Sequence, residues 1–137
     1  MKLNLNDITF IIVSYQSENI IKNCLDSLPK DSNKIIVENS YNINLENDLK
    51  AKYDNIEVIL SKNVGMGGGN NIGLKACKTK YAFVLNPDVK LNLDTMSNLI
   101  EGISNLPDFT LASPLNDNLS VPNYKKKISN VNTNKNV

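Results

Sequence analysis

Asp88 stands in the segment Leu85-Asn86-Pro87-Asp88-Val89, directly after an apolar run of strand length, Tyr81 to Leu85. Pro87 has no N–H to give a sheet ladder, so the run ends there and Asp88 is presented on a stiff turn. In open α/β sheets the ligand site lies beyond the carboxyl ends of the strands. A carboxylate held in that position suits a hard divalent cation carrying a diphosphate. Three other apolar runs end in polar residues in the same way, at Ser14-Tyr15, at Glu38-Asn39 and at Ser61 to Asn63. From spacing alone Asp88 reads more readily as a turn or cap residue, and Glu38 alone as a surface carboxylate. Their joint placement at one sheet edge is what points to a site.

The residue types present narrow the chemistry further. His is absent, which removes Ser-His-Asp and Cys-His nucleophile systems and every His metal site. All fifteen basic residues are Lys, so a phosphate must be held by Lys, by backbone N–H groups or by a metal, without the bidentate fork of Arg. A net charge of +1 gives no nucleic-acid footprint. Cys24 and Cys77 lie in separate helical segments without CxxC spacing and read as small buried hydrophobes in a reducing cytosol. No apolar run reaches the roughly 18 residues of a membrane span, and Ile8 to Val13, preceded by Asp7, is too short for a signal sequence.

The elements that position these residues are legible from the apolar pattern. Residues 7–14, 34–37, 56–60 and 81–85 are short, β-branched or aromatic runs and predict strands. Between them, Ser17-Glu18-Asn19 opens a helix carrying Ile20, Ile21, Cys24, Leu25 and Leu28, which Pro29 ends. Further helices are expected near 44–53, 69–78 and 92–105, and a last short strand over Phe109 to Ala112. Strands alternating with helices imply βαβ units and a mostly parallel sheet, an α/β class in which four strand ends meet at one edge. At 137 residues the chain is large enough to bury roughly two-thirds of its unfolded surface. Residues 1–114 are expected to form that domain. Residues 115–137, rich in Asn, Lys and Ser, are expected to be a disordered tail, with Lys125-Lys126-Lys127 a solvated charge run or, as the alternative, a membrane-surface patch.

The segment Gly65-Met66-Gly67-Gly68-Gly69-Asn70-Asn71-Ile72-Gly73 fits neither nucleotide-binding glycine motif. Asn70 stands where the dinucleotide fingerprint needs its third Gly, and Leu74 where the P-loop needs Lys. Two readings stay open. The loop brings backbone N–H groups to an anion or sugar, or it is a permissive connection with a close helix–sheet contact at Gly73.

Taken in order, IIVSYQSENIIKNCLDSL, IIVENS, NVGMGGGNNIGLKA and YAFVLNPDV resemble glycosyltransferase family 2, and within it the rhamnosyltransferase-like branch that carries NPD in place of DxD. The resemblance covers about residues 8–115 and implies the GT-A fold, a Rossmann-like parallel sheet flanked by helices. It also implies roles. Val13, Ser14 and Tyr15 would line the nucleobase and ribose pocket, and Glu38, where the family has Asp, would contact the base. Asn63, Gly65, Asn70 and Asn71 would shape the floor under the ribose and donor sugar. Asn86 and Asp88 would stand for the metal motif, with Asp88 the direct ligand of Mg²⁺ or Mn²⁺. The metal would neutralise the diphosphate leaving group.

The implied activity is hexosyl or rhamnosyl transfer from a nucleotide-diphosphate sugar, dTDP- or UDP-linked, to a polysaccharide or lipid-linked acceptor. The expected location is the cytoplasm, with a peripheral position at the inner membrane face as the alternative. The family's catalytic base is a carboxylate in an acidic motif of the domain's second half. After Asp94 the acidic residues are Glu101, Asp108 and Asp117, none in such a motif. The sequence therefore predicts a donor half-site without an identifiable general base, a truncated enzyme or one completed by another chain. A non-catalytic nucleotide-binding remnant or interaction module is the competing expectation.

Overall fold

The computed structural model describes residues 3–106 and 109–114. Residues Asn4–Leu93 form one compact unit, and the described residues from Asp94 onward belong with Leu3 to a second. A 3₁₀ turn, Leu5–Asp7, opens the first unit with a capping box between Asn4 and Asp7. Then follow β1 (Ile8–Ser14), α1 (Ile21–Ser27), β2 (Asn33–Glu38), α2 (Ile43–Lys52), β3 (Ile56–Leu60), α3 (Gly65–Ala76) and β4 (Tyr81–Leu85). The four strands pair in the order β3-β2-β1-β4, and every pairing is parallel. In the second unit, α4 (Thr95–Ser104) buries Met96 and Leu99.

β1 is the centre of the sheet and is buried along its whole length. Its side chains alternate between the two faces, as a pleated strand requires. Ile11 and Val13 join Ile35 and Val37 of β2 in one apolar layer, against which Ile59, Ile72, Ala76 and Cys77 pack. Phe10, Ile12 and Ser14 therefore point to the opposite face, beside their register partners Lys34, Ile36 and Glu38. Phe10 there meets Phe83 of β4 at a ring separation of 5.4 Å. α1 and α2 are tied on the surface by Lys22–Asp48 and Lys52–Asp26 ion pairs. Tyr53 donates a hydrogen bond to Asp26, which with the Lys52 ammonium holds that carboxyl below its ordinary range.

The four expected strands form within a residue of their expected bounds. The helix of the Gly-rich segment differs, because α3 starts at Gly65 rather than near 69. Its glycines are read in sequence as loop formers, yet the segment is helical, and two of them, Gly69 and Gly73, pack directly on the sheet. A Cβ on Gly73 would stand 2.4 Å from Ile11 Cγ2, and one on Gly69 would stand 2.7 Å from Val13 Cγ1. The close helix–sheet contact, one of the two open readings, is therefore present, and at two positions. α1 starts at Ile21, later than expected, because residues 17–20 are taken up by a turn in which Ser17 O accepts from both Ile20 and Ile21. Phe109 to Ala112 do not form a strand. The expected tail, 115–137, lies outside the described residues.

Candidate functional site

The carboxyl ends of β1, β2 and β3 and the turn after β4 lie at one edge of the first unit, as parallel pairing dictates. A cavity of about 210 Å³ opens there, lined by Val13, Tyr15, Ser17, Asn39, Asn63, Met66 and Pro87. Each strand end contributes. β1 supplies Val13 and, through a tight turn with Gln16 in the left-handed region (φ 51), Tyr15 and Ser17. The Ser17 hydroxyl donates to Tyr15 O at 3.0 Å and holds that turn closed. β2 leads to Asn39, β3 to Asn63, and β4 to Pro87.

Of the residues expected at the site, Val13, Tyr15 and Asn63 line this cavity. Gly65 does not line it; it stands at φ +73, its N–H donating to Asn63 Oδ1 at 3.0 Å. Asn70 is half-buried within α3 and Asn71 exposed on it, and neither lines the cavity. Ser14 and Glu38 are fully buried and point to the other face of the sheet. Glu38 Oε1 accepts from the backbone N–H of Ser40 at 2.8 Å and from the Ser40 hydroxyl. Glu38 Oε2 and Ser14 Oγ are buried without a hydrogen-bond partner. Buried polar atoms in native folds are normally paired.

The NPD segment is a turn closed by Val89 N–H to Asn86 O at 3.2 Å. α1 holds both of its flanks, Cys24 Sγ donating to Asn86 O at 3.8 Å and Leu91 N–H donating to Ser27 Oγ at 3.0 Å. Burial first, and the Asp88 carboxylate second, push the Cys24 thiol up to about 11. Asp88 itself is exposed. Among the described residues no group of three His, Cys, Asp or Glu side chains gathers to form a metal cage. The donor set at Asp88 is one accessible hard carboxylate. It fits a hard divalent ion whose remaining ligands are water and ligand oxygens, as Mg²⁺ in particular prefers.

Asn39, Ser17, Met66 and Pro87 are cavity residues that the sequence reading did not assign. Asn39 had a signal, a polar amide immediately past the carboxyl end of β2. Ser17 and Met66 had none, because their placement depends on the Gln16 turn and on α3 beginning early.

Residues 9–136 match the family model described as Glycosyl transferase family 2. The chain belongs to glycosyltransferase family 2. The match runs past residue 115, where the motif-based resemblance ends. The chain is 31% identical over 115 residues to the low-salt glycan biosynthesis hexosyltransferase Agl10 of Haloferax volcanii, covering 80% of this chain and 36% of that protein. It is also 31% identical over 93 residues to the poly(ribitol-phosphate) beta-glucosyltransferase of Bacillus spizizenii, covering 59% of this chain and 14% of that protein. The chain thus spans about a third, or less, of the curated relatives it matches. Crystal structures of S. aureus TarS superpose with a TM-score of 0.58 at 20% identity over 70% of this chain, 32% of the TarS 1-349 chain. That likeness supports the GT-A type of α/β fold. No helix among the described residues is long and apolar enough to cross a membrane.

Proposed function

We propose that this chain binds a nucleotide-diphosphate sugar as the donor-binding part of a metal-assisted glycosyltransferase. The observation that carries the reading is the cavity formed where the strand ends of a family 2 sheet meet, next to the accessible carboxylate of Asp88. Tyr15 offers a half-exposed ring for stacking on a base, and Val13 and Met66 offer apolar contact. Asn63 and Ser17 add hydrogen-bonding groups for ribose hydroxyls. Glu38 has one oxygen engaged by Ser40 and one unpartnered. The family resemblance puts the base contact at Glu38, whose carboxylate can accept from the imide N–H that the thymine or uracil of a dTDP- or UDP-linked donor carries. Reaching that carboxylate requires the Glu38 side chain to leave its buried position. Asp88, with Asn86 beside it, would hold Mg²⁺ or Mn²⁺. When bound, the ion supplies charge neutralisation for the diphosphate leaving group.

The relatives' names describe a glycan biosynthesis hexosyltransferase and a poly(ribitol-phosphate) beta-glucosyltransferase. By analogy the acceptor here is a polysaccharide or a lipid-linked glycan, and a rhamnosyl donor fits the NPD motif. Calorimetric titration with UDP and dTDP, with and without Mn²⁺, tests the reading. Binding in the micromolar to millimolar range that strengthens with metal is the expected result. No heat at millimolar nucleotide would remove it in favour of a non-catalytic interaction module.

A further inference from the structure

We infer that Asn39 is a positioning residue of the nucleotide site, its carboxamide fixing the turn from Asn63 to Gly65 that sets Asn63 in the cavity wall. The inference rests on the nucleotide reading above. Asn39 is 1% exposed and still lines the cavity, so its side chain is committed to neighbours rather than to solvent. Its Nδ2 donates to Gly65 O at 3.1 Å and reaches Asn63 Oδ1 at 3.5 Å. Its Oδ1 accepts from Val64 N–H at 3.4 Å. Its backbone N–H donates to Ser14 O at 2.7 Å. One residue thereby joins the end of β1, the end of β2 and the entry to α3.

This external hold adds to the turn's own hydrogen bond from Gly65 N–H to Asn63 Oδ1. Val64, the residue before α3, makes no side-chain cap. Gly65 stands at φ +73, a conformation that glycine permits but does not prefer over its others. Its N–H hydrogen bond to Asn63 Oδ1 and the Asn39 contacts together select it. The two ends of the Asn39 amide face opposite partners, donor toward two oxygens and acceptor toward an N–H. Reversing the amide would set like against like at three contacts, so its orientation is fixed.

Asn39→Asp keeps shape and puts an oxygen where Nδ2 faces Gly65 O and Asn63 Oδ1. Asn39→Ala removes both ends. UDP and dTDP affinities of the full chain are measured by calorimetry, and amide exchange at Val64 and Gly65 by NMR. We expect Asn39→Asp to weaken binding at least tenfold and more than Asn39→Ala, with faster exchange at Val64 in both. Val58→Ala, in β3, is the comparison for stability alone, expected to lower Tm and to leave affinity unchanged. If Asn39→Asp does not fold, Asn39→Ala carries the comparison, with a three- to tenfold loss expected. Affinity within twofold of the unaltered chain in a folded Asn39 variant overturns the inference. Failure of the unaltered chain to bind either nucleotide removes the nucleotide reading itself, and the inference with it. The two failures are told apart by which protein fails to bind.

Discussion

Replacing Gly73 by Ala should destabilise the protein even though Ala is the better helix former. A Cβ at this position would lie 2.4 Å from Ile11 Cγ2 and 3.4 Å from Val37 Cγ2. Carbon atoms in contact prefer about 3.5–4.0 Å, so the first distance is short by more than 1 Å. Neither partner can yield cheaply. Ile11 and Val37 are both fully buried, β-branched and anchored in the two central strands. Overpacking of this kind costs about 1–3 kcal/mol, and a gap this short belongs at the upper end. Helix propensity returns about 1 kcal/mol, leaving a net loss of about 2 kcal/mol. With a urea m value of about 1.5 kcal/mol/M, the unfolding midpoint should fall by roughly 1.3 M at unchanged m. Far-UV circular dichroism during urea titration reads this directly. Ile11→Leu removes the β-branch, so Gly73→Ala should cost about 1 kcal/mol less in that background, a coupling that distant sites would not show. An unchanged or raised midpoint for Gly73→Ala would refute the close approach of α3 to β1, and the account of why the segment is glycine-rich would fall with it.

Gly67 is the contrast, since a Cβ there meets nothing within 4 Å and the residue is exposed in the first turn of α3. Gly67→Ala should stabilise by about 0.5–1 kcal/mol in the same titration, and a loss of nucleotide affinity on that change would show that a ligand approaches the backbone at Gly67. Asp88→Asn should weaken metal-assisted nucleotide binding by about 1.5–3 kcal/mol while moving stability by no more than about 0.5 kcal/mol. Metal dependence that survives the change would withdraw the metal assignment. Glu38→Gln should weaken nucleotide binding equally with and without metal, and a metal-dependent loss would count against a base contact. Cys24, with its thiol at about 11, should hold a thiolate fraction of only about 10⁻³ at pH 8, so a thiol reagent should modify the less buried Cys77 first. Because the unfolded chain releases the Cys24 proton at lower pH than the folded one, stability should decline as pH rises from about 9 toward 11. Preferential labelling of Cys24 in the folded chain would contradict its burial.

The strands were legible because Ile8–Val13 and Ile35–Val37 are β-branched runs buried on both faces, which leaves little else for them to be. β4 was legible for a different reason, Pro87, which sets its end whatever its burial. The start of α3 was not legible, since glycine propensity opposes a helix at Gly65 to Gly69. The fit of Gly69 against Val13 and Gly73 against Ile11 overrides that propensity, and both contacts are between residues more than fifty positions apart. The same distance effect hid part of the site. A sequence shows that Asn39 follows a strand, but not that its amide reaches Gly65. It shows that Ser14 and Glu38 each end a strand, but their register as neighbours and the alternation that turns both away from the cavity depend on the strand pairing and on which face α3 covers.

The strand order has a consequence for how the chain is made. β1 lies between β2 and β4, yet β4 is the last of the four described strands to be synthesised. At translation rates of about 5–20 residues per second, the stretch from Glu38 to Leu85 takes roughly 2–10 s to emerge. Throughout that interval one side of Ile8–Ser14 has no ladder partner, and the strand carries no charged residue to discourage another chain from pairing with it. Parallel pairing across so long a separation is also slow once the segments are available. The nascent chain therefore passes through a stage in which its most apolar strand is half-paired on the ribosome. Soluble yield should then respond to chaperone supply during synthesis more than to the equilibrium stability of the finished sheet.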